Sequence, residues 1–184
     1  MFPALFTSKR VRLATPTSAD KATFAQWSHD DLYDRLLDDD PIRPLSEENF
    51  GHFDGTYSPE NPYFHLRTLE DDTLIGFAVL FNIKWSNQSA EMAIGIGDKN
   101  YRGKGYGSEA LWLILNYAFN ELNLYRVGLT VISYNADAIN AYERAGFVQE
   151  GARRGAIQRY GKRYDLVQYG ILRDEWLTRN GEQS

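Results

Sequence analysis

Eight consecutive residues combine glycine and positive charge in a pattern suited to binding phosphate. Residues 101–108 read Tyr-Arg-Gly-Lys-Gly-Tyr-Gly-Ser and lie between an apolar extended run and a strongly helical one. Three alternating glycines at such a junction allow the backbone amides to point into one concavity, and the helix dipole adds positive potential there. Arg102 and Lys104 add two full positive charges. The segment therefore indicates a phosphate-bearing ligand, and a glycine-rich turn without a ligand is the simpler alternative.

The glycine spacing excludes two familiar nucleotide-binding loops. A P-loop has four residues between its glycines and ends in Gly-Lys followed by Ser or Thr, which this segment lacks. A dinucleotide-binding loop has the pattern Gly-x-Gly-x-x-Gly, with an acidic residue about 20 positions later. Here the third glycine comes one residue early, and Glu121, near the expected distance, falls inside a helical pattern. A nucleotide-binding oxidoreductase is therefore the weakest of the functional hypotheses.

A second segment, residues 135–147, has the features of a capped helix with polar groups on one face. Seven residues separate Asn135 from Tyr142, which is nearly two helical turns, so both side chains face the same way. Asn135 is a suitable N-cap, and Gly146 is placed to end the helix in a left-handed conformation. Tyr142 also lies beside Ile139, so a purely structural role on the buried face stays open.

Composition limits the class of protein. With 184 residues and 43% apolar residues, the chain is long enough for one domain with a substantial core, expected over residues 1–184. The net charge of −5 argues against a nucleic-acid-binding protein. The absence of cysteine excludes disulfides, thiolate metal sites and cysteine nucleophiles. Without a signal-peptide pattern or a long apolar run, a soluble cytoplasmic protein without membrane contact is expected.

Hydrophobic periodicity predicts the elements that position these segments. Strands are expected at residues 9–14, 63–69, 74–83, 90–97 and 125–132, with a terminal hairpin of 155–160 and 164–172. Helices are expected after Thr17 or Ser18, at 31–37, over 108–122 and from Asn135 to Gly146. Two glycines near the end of 90–97 indicate a bulge or a close approach by another chain.

The order of these elements resembles the GNAT family of N-acetyltransferases over residues 9–172. The specific part is the Arg-Gly-x-Gly-x-Gly loop between strand and helix, followed by the Asn-capped helix with its late tyrosine and Gly-Phe. Residues 150–154 and 160–162 resemble the ribosomal-protein and polyamine acetyltransferase branch. The resemblance implies an α/β fold of the α+β type. Its sheet would be mixed and mostly antiparallel, of about seven strands, with helices on both faces and a splayed cofactor cleft.

The resemblance also implies acetyl-CoA as the donor, a primary amine as the acceptor, and no metal. The pyrophosphate would sit at the glycine loop, and the pantetheine arm would follow a bulged fourth strand. The implied cofactor-binding residues are Gly95, Ile96, Gly97, Arg102, Gly103, Lys104, Gly105, Tyr106, Gly107, Ser108, Asn135, Asn140 and Tyr142. In relatives the matching tyrosine protonates the departing thiolate, and a tyrosine with a pKa near 10 stays protonated for that work at neutral pH.

Amine transfer needs a neutral nucleophile, and a side-chain-type ammonium is neutral in only about one molecule in 2,000 at pH 7. Glu91 is therefore the candidate general base, with a solvent-facing glutamate as the alternative. An acidic region before residue 41 is expected to attract the acceptor, although such runs are usually solvated faces. The candidate acceptor-binding residues are Trp27, His29, Asp31, Asp34 and Trp85, for which core packing or solvent exposure is the competing explanation.

These observations predict direct acetyl transfer from acetyl-CoA to an amine, since no cysteine can carry the acetyl group. The acceptor is expected to be a protein N-terminal amine of the ribosomal-protein type, a polyamine, or an exogenous amine. The principal alternative is a non-catalytic acyl-CoA-binding regulatory domain. A homodimer is possible, because a terminal strand can pair across two copies.

Overall fold

Seven strands form one sheet in the computed structural model, which describes residues 4–56 and 58–180. The strands are β1 (Val11–Ala14), β2 (Tyr63–Thr68), β3 (Leu74–Lys84), β4 (Ser89–Ile96), β5 (Arg126–Ile132), β6 (Val148–Arg159) and β7 (Lys162–Leu172). The α-helices are α1 (Lys21–Trp27), α2 (Asp31–Leu37), α3 (Tyr106–Asn116), α4 (Ala136–Ala145) and α5 (Arg173–Asn180). The expected mixed α/β architecture is confirmed.

The sheet order is β1-β2-β3-β4-β5-β7-β6, and every neighbouring pair is antiparallel except β4 and β5. The parallel register covers three pairs, from Ser89–Arg126 to Glu91–Gly128. Beyond Glu91, β4 continues to pair with β3, while β5 continues to pair with β7. The two halves of the sheet therefore separate at this point, and the separation opens a wedge between β4 and β5.

Helices cover both faces of the sheet. The main core packs α3 against the sheet and includes buried residues of β3, β4, β5 and β7, with Ile139 and Tyr142 of α4 packed against it. A second core of aromatic residues lies on the opposite face, where Phe24 of α1 packs with Phe53 and Phe77. The pleat alternation of β4 connects the two, because Met92 belongs to the main core and Ala93 packs against the aromatic one.

The predicted bulge in the fourth strand is wrong, and the close approach that was the alternative occurs within this chain and not with another one. β4 pairs regularly with β3 from Ile96 to Glu91, and the register shift lies near the far end of β3. A side chain on Gly95 would lie 2.7 Å from the Tyr33 hydroxyl, and one on Gly97 would overlap the Trp27 ring. The approach comes from α1 and α2 of this same chain.

Three further boundaries differ from the sequence prediction. The helix expected over 108–122 consists of α3 followed by a π-helical turn, Tyr117–Glu121. The terminal hairpin begins earlier than expected, at Val148. The helix α5 was not predicted, and its buried Trp176 packs near Phe119. Within the described ranges, no helix has the length and apolar character needed to cross a membrane.

Candidate active site

A cleft of about 580 Å³ occupies the wedge between β4 and β5. Its walls come from the separated ends of the two strands, the start of α3, one face of α4 and the end of α2. β4 contributes Met92 through Ile96, and β5 contributes Thr130 through Ile132. Because these strand segments no longer pair with each other, the facing backbone edges are open to an extended, peptide-like ligand.

The glycine loop forms one end of this cleft. Gly103 and Gly105 have φ angles of 71° and 86°, the left-handed region in which glycine is favoured, and Gly105 is the N-cap of α3. The Glu109 amide makes the first helical bond, to the Gly105 carbonyl at 3.2 Å. The three preceding amides have no partner within the helix. The start of α3 therefore has the free backbone amides that commonly bind anions at helix N-termini, and anion binding here stays a prediction.

The two basic residues of the loop do not add free charge to the concavity. The Arg102 guanidinium donates to the carbonyls of Ile96 (2.8 Å) and Gly97 (2.5 Å) and to the Asp30 carboxylate (2.9 Å). Lys104 is exposed and does not line the cleft. Arg102 instead ties the glycine loop to the end of β4 and to the start of α2.

The remaining predicted cofactor residues mostly meet in the cleft. Ten of the thirteen line it: Gly95, Ile96, Arg102, Gly103, Gly105, Gly107, Ser108, Asn135, Asn140 and Tyr142. The other three are Gly97, Lys104 and Tyr106. Tyr106 turns to the neighbouring surface, where the Arg10 guanidinium lies 4.4 Å from its ring centroid.

Asn135 and Tyr142 line the same cleft from α4, as the helical spacing requires. The Asn135 side chain accepts from the Ala138 amide (3.2 Å) and donates to the Leu36 carbonyl (3.1 Å), so it caps α4 and fastens it to α2. The Tyr142 hydroxyl makes no hydrogen bond within the described residues. Burial raises the pKa of Tyr142 to about 12, which keeps the phenol protonated.

Glu91 lies outside the residues that line the cleft but at the point where the wedge begins. Its neighbours Ala90 and Met92 are buried in the main core, so strand alternation turns the Glu91 side chain to the opposite face. The carboxylate lies over Gly128, where an added Cβ would be 2.8 Å from Oε1. Burial raises the pKa of Glu91, and the charge of Glu150 raises it further, against the opposing effect of Arg126.

The residues predicted to hold the acceptor do not line the cleft. Trp27 packs over Gly97, while His29 and Asp31 are exposed on the surface. Asp34 is partly buried on α2, and Trp85 is exposed at the opposite end of β4. Burial raises the pKa of Asp34, and the nearby charges of Asp30 and Asp38 add to that effect.

Sequence reasoning missed the wall that α2 provides. The missed lining residues are Tyr33, Leu36 and Leu37, and they are followed in the lining by Asp38 and Asp39 of the predicted acidic region. Long-range contacts bring this segment over the cleft: Arg159 of the terminal hairpin donates to the carbonyls of three successive residues, 38–40, at 3.0–3.3 Å. The acidic run was visible in the sequence, but its position depends on a hairpin about 120 residues away in the chain.

The fold and the cleft together define an α/β protein with a split sheet that takes an extended, phosphate-bearing ligand. The model of the GNAT acetyltransferase domain matches residues 10–148. The chain therefore belongs to the GNAT acetyltransferase family, a family of acyltransferases that move an acetyl group from acetyl-CoA to an amine. The resemblance stated from sequence is confirmed.

Individual proteins with similar sequences are also N-acetyltransferases. The putative ribosomal N-acetyltransferase YdaF of Bacillus subtilis (strain 168) is 36% identical over 108 residues, covering 59% of this chain and 58% of that protein. The spermidine N(1)-acetyltransferase of Vibrio cholerae is 31% identical over 141 residues, covering 73% and 81% of the two chains. The matched segment thus spans less than two thirds of YdaF but most of the spermidine enzyme.

Solved structures give the same fold. The crystal structure of spermidine N-acetyltransferase from Vibrio cholerae in complex with CoA and spermine has a TM-score of 0.81 at 23% sequence identity, covering 92% of this chain and 99% of that one. A dodecameric structure of the Vibrio cholerae enzyme has a TM-score of 0.75 at 24% identity, with coverages of 94% and 99%. At these low sequence identities, the structural similarity shows only that the fold is shared.

Proposed function

We propose that this chain is an acetyl-CoA-dependent N-acetyltransferase that acetylates a primary amine by direct transfer in a ternary complex. The observation that carries the proposal is the wedge between β4 and β5, which holds the glycine loop at one end and Glu91 at its apex. The open edge of β4 suits the amides of a pantetheine arm, and the first amides of α3 suit the pyrophosphate.

Glu91 and Tyr142 approach the apex from opposite faces of the sheet. Tyr142 packs against the main core on the α3 face, and Glu91 points to the other face. A thioester that passes between the strands would thus have a base on one side and an acid on the other. The amine nitrogen attacks the thioester carbon and forms the C–N bond, Glu91 takes a proton from the nitrogen, and Tyr142 protonates the thiolate as the C–S bond breaks.

The acceptor we propose is a cationic amine of the polyamine type. Asp38 and Asp39 line the cleft from the segment that follows α2, and Asp137 lines it from α4, so the wall carries negative charge that attracts ammonium groups. The similarity to a spermidine acetyltransferase supports this choice. A protein N-terminal amine is the second candidate, supported by the similarity to a putative ribosomal N-acetyltransferase.

An acceptor panel tests the proposal. Release of CoA thiol from acetyl-CoA would be followed with spermidine and spermine, with peptides bearing free Ala, Ser or Met N-termini, and with several aminoglycosides. We expect turnover with the polyamines, whereas turnover confined to the peptides would favour the second candidate. Tight acetyl-CoA binding without turnover on any amine would favour the non-catalytic acyl-CoA-binding domain.

We also propose that residues 1–184 act as one N-acetyltransferase domain and that the protein forms a homo-oligomer, for which a homodimer is the simplest case. The single seven-stranded sheet supports a single domain. The dodecameric Vibrio cholerae enzyme, which has the same fold, supports a homo-oligomer. Light scattering on the purified protein measures the assembly. The cytoplasmic location stays a prediction from composition.

A further inference from the structure

Tyr33 carries a buried hydroxyl that the fold leaves without a partner. The residue lies on α2 and is only 8% exposed, and it lines the cleft. Its Oη atom is buried and has no hydrogen-bond partner within the described residues. A buried hydroxyl without a hydrogen-bond partner destabilises the folded protein. Such a group in a cleft wall points to a ligand that supplies the missing partner.

The position of the hydroxyl identifies the part of the ligand that it meets. Oη lies 2.7 Å from where a Cβ of Gly95 would be, so it rests directly on β4, on the face of the sheet that α1 and α2 cover and beside the cleft that Tyr33 lines. Gly95 and Ile96 belong to the segment of β4 that continues beyond the last β5 pair. An extended ligand lying along this edge brings its own amide groups close to the hydroxyl.

The Tyr33 ring is held so that the hydroxyl keeps this position. The Arg102 guanidinium lies 4.7 Å from the centre of the ring, in cation–π geometry. The Asp30 carboxylate accepts from Arg102 and, at 3.2 Å, from the Tyr33 backbone amide. Burial strongly raises the pKa of Tyr33, so the hydroxyl is a permanent donor at neutral pH.

We infer that Tyr33 is a positioning residue whose hydroxyl donates a hydrogen bond to a carbonyl oxygen of the pantetheine arm of the acyl-CoA lying on β4. This inference rests on the proposed function, because it assumes that the cleft takes acetyl-CoA. The hydroxyl is unpartnered without the ligand and satisfied with it, so its removal weakens the bound state and leaves the free protein unharmed.

The test compares two ligands that differ in the arm. Wild type, Tyr33→Phe and Tyr63→Phe would be titrated calorimetrically with CoA and with adenosine 3′,5′-bisphosphate, which lacks pantetheine. Tyr63 is a matched control, since it is a partly buried tyrosine of β2 that does not line the cleft. In Tyr33→Phe we expect CoA affinity to fall about 5- to 20-fold, in line with the loss of one hydrogen bond, while the bisphosphate binds as in wild type.

Two further readouts separate positioning from a structural role. The melting temperature of ligand-free Tyr33→Phe should equal or exceed that of wild type, and its rise on adding CoA should be smaller. The KM for acetyl-CoA should increase, while kcat at saturation stays within about twofold. Equal CoA affinity in Tyr33→Phe and wild type, or an equal loss for both ligands, would overturn the inference. Absence of CoA binding in wild type would overturn the proposed function together with it.

Discussion

Glu91 and Gly128 form the last parallel register pair before β4 and β5 separate. A side chain at position 128 would lie 2.8 Å from the Glu91 carboxylate, so glycine there makes room for the acid. The carboxylate lies over Gly128 on one face of the sheet, while Tyr142 lines the cleft from α4 and packs against the core on the other face. This arrangement on opposite faces supports the proposed roles of Glu91 as the base and Tyr142 as the acid.

Replacing Glu91 by Gln should lower kcat/KM for a polyamine acceptor by about 10²- to 10⁴-fold, the usual contribution of a general base. The melting temperature should not fall, because burial opposes the charged form of Glu91 and the amide carries no charge. Glu121→Gln, which removes an exposed carboxylate outside the cleft, is the control. Full activity of Glu91→Gln at every pH would exclude Glu91 as the base.

Replacing Glu150 by Gln should move the acidic limb of the pH–rate profile to lower pH. The negative charge of Glu150 raises the pKa of Glu91, whereas the positive charge of Arg126 lowers it. Glu150 also forms an ion pair with Arg126. The variant removes the first effect and frees Arg126, so both changes lower the pKa of Glu91. Since the deprotonated base is the active form, the rate then rises at a lower pH. The profile of kcat/KM against pH measures the limb, and a shift toward higher pH would contradict the assignment.

Replacing Tyr142 by Phe should reduce kcat by about 10²-fold or more, because the thiolate loses its proton donor. The ring packs against Phe147 with centroids 5.7 Å apart, and this contact survives the substitution. CoA affinity, measured by calorimetry, should therefore stay within about twofold of wild type. Tyr125→Phe changes an exposed tyrosine and serves as the control. Unchanged turnover in Tyr142→Phe would leave Tyr142 with a packing role alone.

Replacing Gly97 by Ala should destabilise the fold by about 1–3 kcal/mol, because the methyl group would overlap the Trp27 ring. For a domain of this size each kcal/mol lowers the melting temperature by about 2–4 °C. Gly151→Ala is the matched control, since its nearest neighbour would be 3.6 Å away. In a Trp27→Leu background, Gly97→Ala should lower the free energy of unfolding by less than it does in wild type. Strict additivity in this double-mutant cycle would show that the two residues do not compete for space.

Local sequence signals located most of the fold. The helix predicted at 31–37 matches α2, and the Asn135 cap and the left-handed Gly146 both occur as the spacing predicted. These features depend on residues close together in the chain, where capping and turn chemistry act. The same holds for the positive φ angles of Gly103 and Gly105.

The missed features depend on contacts between distant segments. α2 reaches the cleft because Arg159 and Tyr134 bond its backbone and the following loop from the other half of the chain. Arg102 was expected to meet phosphate, but its pairing with Asp30, 72 positions earlier, commits that charge. Neither periodicity nor propensity carries such information, so Tyr33 could not be selected from the sequence.

In the proposed mechanism the thioester of the donor lies at the apex of the wedge, between Glu91 and Tyr142. A crystal structure of the protein with bound CoA measures this directly. We expect the pyrophosphate on the first amides of α3, the arm along β4, and the CoA sulfur within hydrogen-bond reach of the Tyr142 hydroxyl. A CoA molecule bound with its sulfur away from the separation of β4 and β5 would contradict the account.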